Sequence, residues 1–304
     1  MDWNIASGLI AAQMLWAVGL SICLRAGVFA LGNLAFGLFG AYAGPILMIR
    51  AGVHWLPATL AAAALGALLA FVMGYVLRRL NEHFLAIGTI VLLMVLASLA
   101  TGMTDFTGGA VGLAGIPVVV DAWIPTTMIV VITAAMVLVE RRRWGHVLDI
   151  VGREPFAAES LGIRPARVRL LVLTISGALT AAGGSWFAVW YGFIDPNVIG
   201  LHNQLDVIAS AVVGGFGNPV GPLVGTVVMY LVGELTREVA AYRDIVAGLI
   251  VIAFALLAPR GITSLVGTAW RRVAGPRVKV PPVPETTAPA PSAVDKRSEH
   301  VADS

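Results

Sequence analysis

The densest chemistry in this chain lies between Glu140 and Arg169, ERRRWGHVLDIVGREPFAAESLGIRPARVR. Seven arginines (Arg141, Arg142, Arg143, Arg153, Arg164, Arg167 and Arg169) and four acids (Glu140, Asp149, Glu154 and Glu159) stand in it. A segment this polar does not lie in hydrocarbon. Within it, Pro155 to Leu161 reads as a short helix, with Pro at the first helical position, where its missing N–H costs nothing, and Gly162 placed to end it. Seven residues make roughly 10 Å of helix, too short to be stable alone in water, so something must hold it. Its chemistry is that of contact. Phe156 and Leu161 offer apolar side chains, Ala157 and Ala158 allow close approach, and Glu154 and Glu159 can meet basic residues.

Bond-making chemistry is missing by comparison. The only lysines are Lys279 and Lys296, both near the C-terminus, so no phosphate-binding G-x-x-x-x-G-K-[ST] loop exists before them. If ATP drives this protein, a different subunit hydrolyses it. His54, His83, His146, His202 and His300 are isolated, without an H-E-x-x-H pair or a G-x-S-x-G turn, and neither a metal nor an enzymatic role is expected. Asp206 and Glu234 fall near the ends of apolar runs as caps or interfacial charges. The runs hold almost no other ionisable groups in their middles, which argues against a proton-driven carrier and leaves open a Na⁺ site built from backbone carbonyls. The basic residues form no aromatic-lined face, so nucleic acid is not an expected partner.

The elements that carry these residues are read from composition. Hydrophobic residues make up 58% and charged residues 12% of the chain, against ~25% charged in soluble domains. The apolar runs approach the ~20 residues needed to cross a bilayer. The fold class is therefore an all-α integral membrane protein, a polytopic helical bundle of about eight or nine transmembrane segments. A β-barrel is excluded because the runs are continuous rather than alternating. Residues 1–275 form the transmembrane domain, with 140–169 as a cytoplasmic loop, and residues 276–304 form a Pro-rich tail expected to be disordered. The lone Cys23 lies inside the first span and excludes an internal disulfide. No cleavable signal is expected, since the first apolar run lacks a basic leader.

Expected spans run from about Ile5 to Leu24, Ala26 to Ile49, Trp55 to Leu77, His83 to Thr101, Trp123 to Val139, Val168 to Tyr191 and Tyr242 to Leu257. Arg78, Arg79 and Arg141 to Arg143 mark cytoplasmic ends, while the side of the N-terminus stays open. Trp186 and Trp190 are placed for the outer interface. The second span holds Gly27, Gly32, Gly37, Gly40, Gly44 and Pro45, with Asn33 in hydrocarbon, and reads either as close helix packing or as a broken helix beside a transport path. Gly102 to Asp121, with TGGAVGLAGIP, is a loop that either connects or folds back. Leu205 to Phe216 and Leu223 to Leu235 flank a Gly/Pro break and are either two short crossings or one discontinuous element. The candidate lining residues of a pathway are Gly32, Asn33 and Phe36, then Thr107, Gly108 and Gly109, then Gly214, Gly215 and Gly217.

Glu154 to Ile163, EPFAAESLGI, resembles the EAA-type cytoplasmic loop of ABC-importer permeases, in particular those of the branched-chain amino acid permease family. GNLAFGLFGAYAGPIL, TGGAVGLAGIP, VVGGFGNPVGPLVG and LAPRGI agree with that family in order and spacing, and TGG-x-x-GL-x-GIP resembles its LivM-like subunit. The pattern departs at Gly32-Asn33, where many members carry Gly-His, and at Leu24-Arg25, where Gly-Tyr is common. The resemblance implies a multi-pass protein of the bacterial inner membrane that imports branched-chain amino acids or similar small polar solutes. Relatives that move urea or short amides share the framework. It further implies a second, LivH-like permease, two cytoplasmic ABC ATPases that use ATP and Mg, and a periplasmic binding protein. Glu154, Phe156, Ala157, Ala158, Glu159, Leu161 and Gly162 would then couple to the ATPases, and this chain would bind no cofactor of its own.

Overall fold

The structure, a computed structural model, describes residues 3–77, 82–118, 123–141, 143–215, 220–235 and 248–249. In chain order the helices are α1 (Trp3–Arg25), α2 (Leu34–Ala51), α3 (Trp55–Leu77), α4 (Glu82–Gly102), a single turn α5 (Thr104–Thr107), α6 (Trp123–Arg141), α7 (Arg143–Arg153), α8 (Pro155–Ser160), α9 (Pro165–Tyr191), α10 (Leu201–Gly214) and α11 (Gly221–Leu235). Among the described residues, five helices are long and apolar enough to span a membrane: α1, α2, α3, α4 and α9. Trp123–Ala135 and α11 are shorter apolar stretches. The expected last span, Tyr242 to Leu257, and the tail lie outside the described residues.

Helix α9 is the centre, packed against α1, α2 and α3. Small residues make this possible. Between helices in lipid no hydrophobic force acts, so association depends on close backbone approach. A Cβ built on Gly184 of α9 would overlap the carbonyl oxygen of Gly37 on α2, and one on Gly40 would overlap that of Ala181. Gly66 and Ala70 of α3 meet Ala181 and Gly177 in the same way. Thr59 and Ser185 add a hydroxyl pair at 3.2 Å. The α3 and α4 faces turned away from α9 carry exposed Leu60, Leu68, Phe71, Val91, Met94 and Leu99, the surface that a bilayer or a neighbouring apolar helix covers.

Trp186 and Trp190, in the last turns of α9, face the inside of the chain rather than its surface. They stack with centroids 5.5 Å apart, Trp186 is fully buried, and its Nε1 donates to the Gly8 carbonyl at 3.1 Å. Gly8 lacks the side chain that would occupy the volume of the Trp190 ring, so the indoles complete the core between α1 and α9.

The second span also differs from its expected bounds. Its helix begins at Leu34, and residues 26–33 between α1 and α2 form turns and irregular backbone. From Leu34 the helix continues through Pro45 to Ala51. The glycine-rich loop folds into α5, a 3₁₀ turn at Gly109–Val111 and a strand β1 (Leu113–Ala114), which pairs antiparallel with β2 (Phe193–Ile194). That two-residue ribbon is the sheet content among the described residues.

α10 and α11 lie side by side. A Cβ on Gly225 would overlap the Ser210 carbonyl, and one on Gly214 that of Gly221, so the two helices pack antiparallel. At 14 and 15 residues each is about 21–22 Å long, short of the ~30 Å hydrocarbon core. The two short helices expected on either side of the Gly/Pro break pack against each other.

Candidate functional site

α8 has six residues with Pro155 at its start. It ends as the sequence indicates. Gly162 adopts φ +77°, its N–H donates to the Glu159 carbonyl at 2.9 Å, and the Ile163 N–H reaches back to the Ala158 carbonyl at 3.0 Å. This reciprocal pair closes the last carbonyls of a helix end, and the left-handed backbone it needs favours glycine. Of the seven residues singled out here, Glu154, Phe156, Ala157, Glu159, Leu161 and Gly162 are exposed. Phe156 is 84% exposed and Leu161 67%, whereas Ala158 is fully buried against its own chain. Ala158 therefore seats α8, and the face offered outward is the rest.

α7 was not evident in the sequence. Its Leu148 and Val151 are buried while Trp144 and His146 are exposed. It is pinned to the end of α1, where Arg25 Nε and Nη2 donate to the same Asp149 oxygen at 3.2 and 3.0 Å. α1 therefore ends on the side of the arginine-rich segment, and its N-terminus lies on the opposite side of the bundle. At the far end of α2, Arg50 lies 4.3 Å over the Phe106 ring and donates to the Asp105 carbonyl.

The start of α2 is a buried polar junction. Gly32 N–H donates to Thr89 Oγ1 of α4 at 3.0 Å. Asn33 Nδ2 donates to Thr180 Oγ1 at 2.7 Å and its Oδ1 accepts from Ser176 Oγ at 3.0 Å, both on α9. Leu34 N–H donates to Gln204 Oε1 of α10 at 2.8 Å. Asn33 and Gln204 are each 1% exposed, and Gln204 Nε2 has no hydrogen-bond partner among the described residues. Phe36 is fully buried and packs with Cys23, Val28, Leu148 and Leu173. Each polar group here is costly to bury unless bonded, so the non-helical stretch is held by side chains from three helices.

The three candidate lining groups do not meet. Thr107 Oγ1 lies within hydrogen-bond reach of the Ala100 and Met103 carbonyls and accepts from the Gly109 N–H. Thr89, which holds Gly32, and Ala100 are about 16 Å apart along α4. Gly108 and Gly109 have φ of +75° and +63°. Gly214 and Gly215 lie at the C-terminal end of α10, and Gly217 falls outside the described residues. The polar residues that sequence reasoning missed, Thr89, Ser176, Thr180 and Gln204, share one signal: polar side chains inside apolar runs, with Ser176 and Thr180 one helical turn apart. Among the described residues no cluster of three or more His, Cys, Asp or Glu is placed to hold a metal ion.

Residues 5–255 match the family described as branched-chain amino acid transport system / permease component. The chain belongs to that family. It is a multi-pass membrane protein, with its five long apolar helices inside the matched range. It is 22% identical to the high-affinity branched-chain amino acid transport system permease protein LivM of Escherichia coli (strain K12), covering 84% of this chain and 68% of the relative. The LivM protein of Salmonella typhimurium is 24% identical, with 81% and 64% covered. The chain thus spans about two thirds of the length of these LivM proteins. The autoinducer 2 import system permease protein LsrC of Klebsiella pneumoniae subsp. pneumoniae is 31% identical over 129 residues, 40% of this chain and 37% of the relative. No solved structure matches the chain significantly.

Proposed function

We propose that this chain is the transmembrane permease subunit of an ATP-driven importer of the bacterial cytoplasmic membrane. It works with a second, LivH-like permease, two cytoplasmic ATPases that supply ATP and Mg²⁺ chemistry, and a periplasmic binding protein that delivers the solute. The single observation that carries this reading is α8: a helix of about 9 Å, seated by buried Ala158, that turns Phe156 and Leu161 to the outside. Exposed aromatic and aliphatic side chains beside Glu154 and Glu159 are the anchors and rim that a groove in a partner protein accepts. The abundance of arginine on the same side marks it as cytoplasmic.

The solute is a branched-chain amino acid or a similarly small polar molecule. Likeness to LivM over most of the chain supports the amino acids; the family framework also accommodates urea and short amides. In the proposed cycle, closure of the ATPases pushes α8 and rocks the spans, with the break before α2 and the α10–α11 pair as the flexing points beside the pathway.

The test is uptake of labelled leucine, isoleucine, valine and urea by proteoliposomes holding the full complex, with and without ATP. ATP-dependent uptake should be lost in Glu159→Lys and Gly162→Pro while both variants still insert in the membrane. Normal ATP-dependent uptake by both would remove the assignment. Uptake without ATP or partner subunits would instead identify an ion-driven carrier or a passive channel.

A further inference from the structure

α8 touches the rest of the chain mainly through α7, so whatever α8 receives passes to α7 first. α7 is held at a definite place. Arg25, the last residue of α1, is only 6% exposed in its side chain and gives two N–H groups to one oxygen of Asp149, which is 38% exposed. One turn further along α7, Gly152 lies so close to the Arg25 carbonyl oxygen that a Cβ would overlap it. Gly152 also abuts Gly27, whose φ is +72° and beside which the Arg169 guanidinium passes. α7 thus grips the end of α1 and the beginning of the non-helical stretch 26–33. That stretch ends at Gly32, Asn33 and Leu34, whose hydrogen bonds reach α4, α9 and α10.

From this geometry we infer that Arg25 and Asp149 form a positioning pair that transmits displacement of α8 to the start of α2. The inference rests on reading α8 as the ATPase-docking helix. The physical basis is the contrast in stiffness along the route. Arginine presents a planar fork that fixes an angle as well as a distance, and the paired glycines leave no slack between α7 and the α1 end. Residues 26–33, in contrast, lack an i→i−4 ladder and can change shape without breaking a helix. A push on α7 is therefore delivered to the non-helical stretch, which carries it to three helices at once. Neither residue belongs to the docking face, and neither is asked to touch solute.

The experiment uses the complete complex in proteoliposomes and compares Arg25→Gln, Asp149→Asn and the charge exchange Arg25→Asp with Asp149→Arg. Three quantities are read: ATPase co-purification, ATP hydrolysis rate, and labelled solute taken up per ATP hydrolysed. Each single variant should keep the ATPases bound, hydrolyse ATP within about twofold of the parent, and lose about tenfold in uptake per ATP, within the usual range of site-to-site coupling. The exchanged pair should recover a substantial part of that loss, a rescue that a simple loss of stability would not give. Unchanged uptake per ATP in both single variants would overturn the inference. So would loss of ATPase binding in the near-isosteric Asp149→Asn variant, which would make the pair an assembly contact. Failure of the unmodified complex to bind ATPases at all sinks the reading of α8 itself and is seen before any variant is made.

Discussion

The N–H of Leu34 donates to Gln204 Oε1 at 2.8 Å, across 170 residues of chain. Helix starts are usually capped by a neighbour a few residues away. Here Asn33, the residue in the cap position, makes no cap bond and spends its amide on α9 instead. The cap comes from α10, so the start of α2 and the α10–α11 pair are one mechanical unit.

Replacing Gln204 with Leu orphans the Leu34 N–H in a buried site, and the expected cost is about 1–3 kcal/mol. Gln204→Glu keeps an acceptor in place but buries a carboxyl at a site 1% exposed, so it too should destabilise, increasingly as pH rises and the carboxylate must ionise. Thermal unfolding of the detergent-solubilised protein reads both variants; an unchanged midpoint for Gln204→Leu would count against the cap.

Asn33→Leu keeps the branched shape at Cγ but removes both bonds to α9. Ser176 and Thr180 can turn to their own helix carbonyls, so the loss should stay near ~1–3 kcal/mol. The same unfolding assay applies, and Asn33→Leu and Gln204→Leu should be less than additive because the two sites share one backbone stretch.

Two glycines should respond oppositely to alanine. Gly184→Ala forces a methyl into the Gly37 carbonyl, which only separation of α2 from α9 relieves, and the expected result is loss of monodisperse protein in size-exclusion chromatography. At Gly162 nothing lies within 4 Å of the added carbon. Only the left-handed backbone objects there, at roughly 1–2 kcal/mol, and the protein should purify normally.

Phe156→Asp should abolish ATPase co-purification while leaving the unfolding midpoint within the ±0.5 kcal/mol typical of surface changes, because the ring is 84% exposed in this chain. Retained ATPase binding would place the docking face elsewhere.

What was legible in the sequence was local. Pro155 and Gly162 define α8 through backbone rules that act over a few residues, and the structure ends the helix with the hydrogen bonds those rules describe. The apolar runs likewise announced the long helices. α7 was not legible because its few aliphatic residues sit within a strongly charged segment, although Leu148 and Val151 recur at helical spacing. The polar junction escaped because its partners are 57 to 170 residues apart in sequence. The inward facing of Trp186 and Trp190 was not legible, because a tryptophan near a span end usually faces lipid and headgroups; only Gly8 on another helix reveals the space that takes them inward.

The position of α9 bears on how the chain is made. Its three partners α1, α2 and α3 are complete by Leu77, but their glycine-lined faces meet α9 only after Tyr191 has been synthesised, roughly 110 residues later. At ~5–20 residues per second that interval is of the order of 10 s. During it the small-residue faces of α2 and α3 stand open to lipid or to each other, and the nascent bundle must hold its place in the bilayer until the helix it is built around arrives.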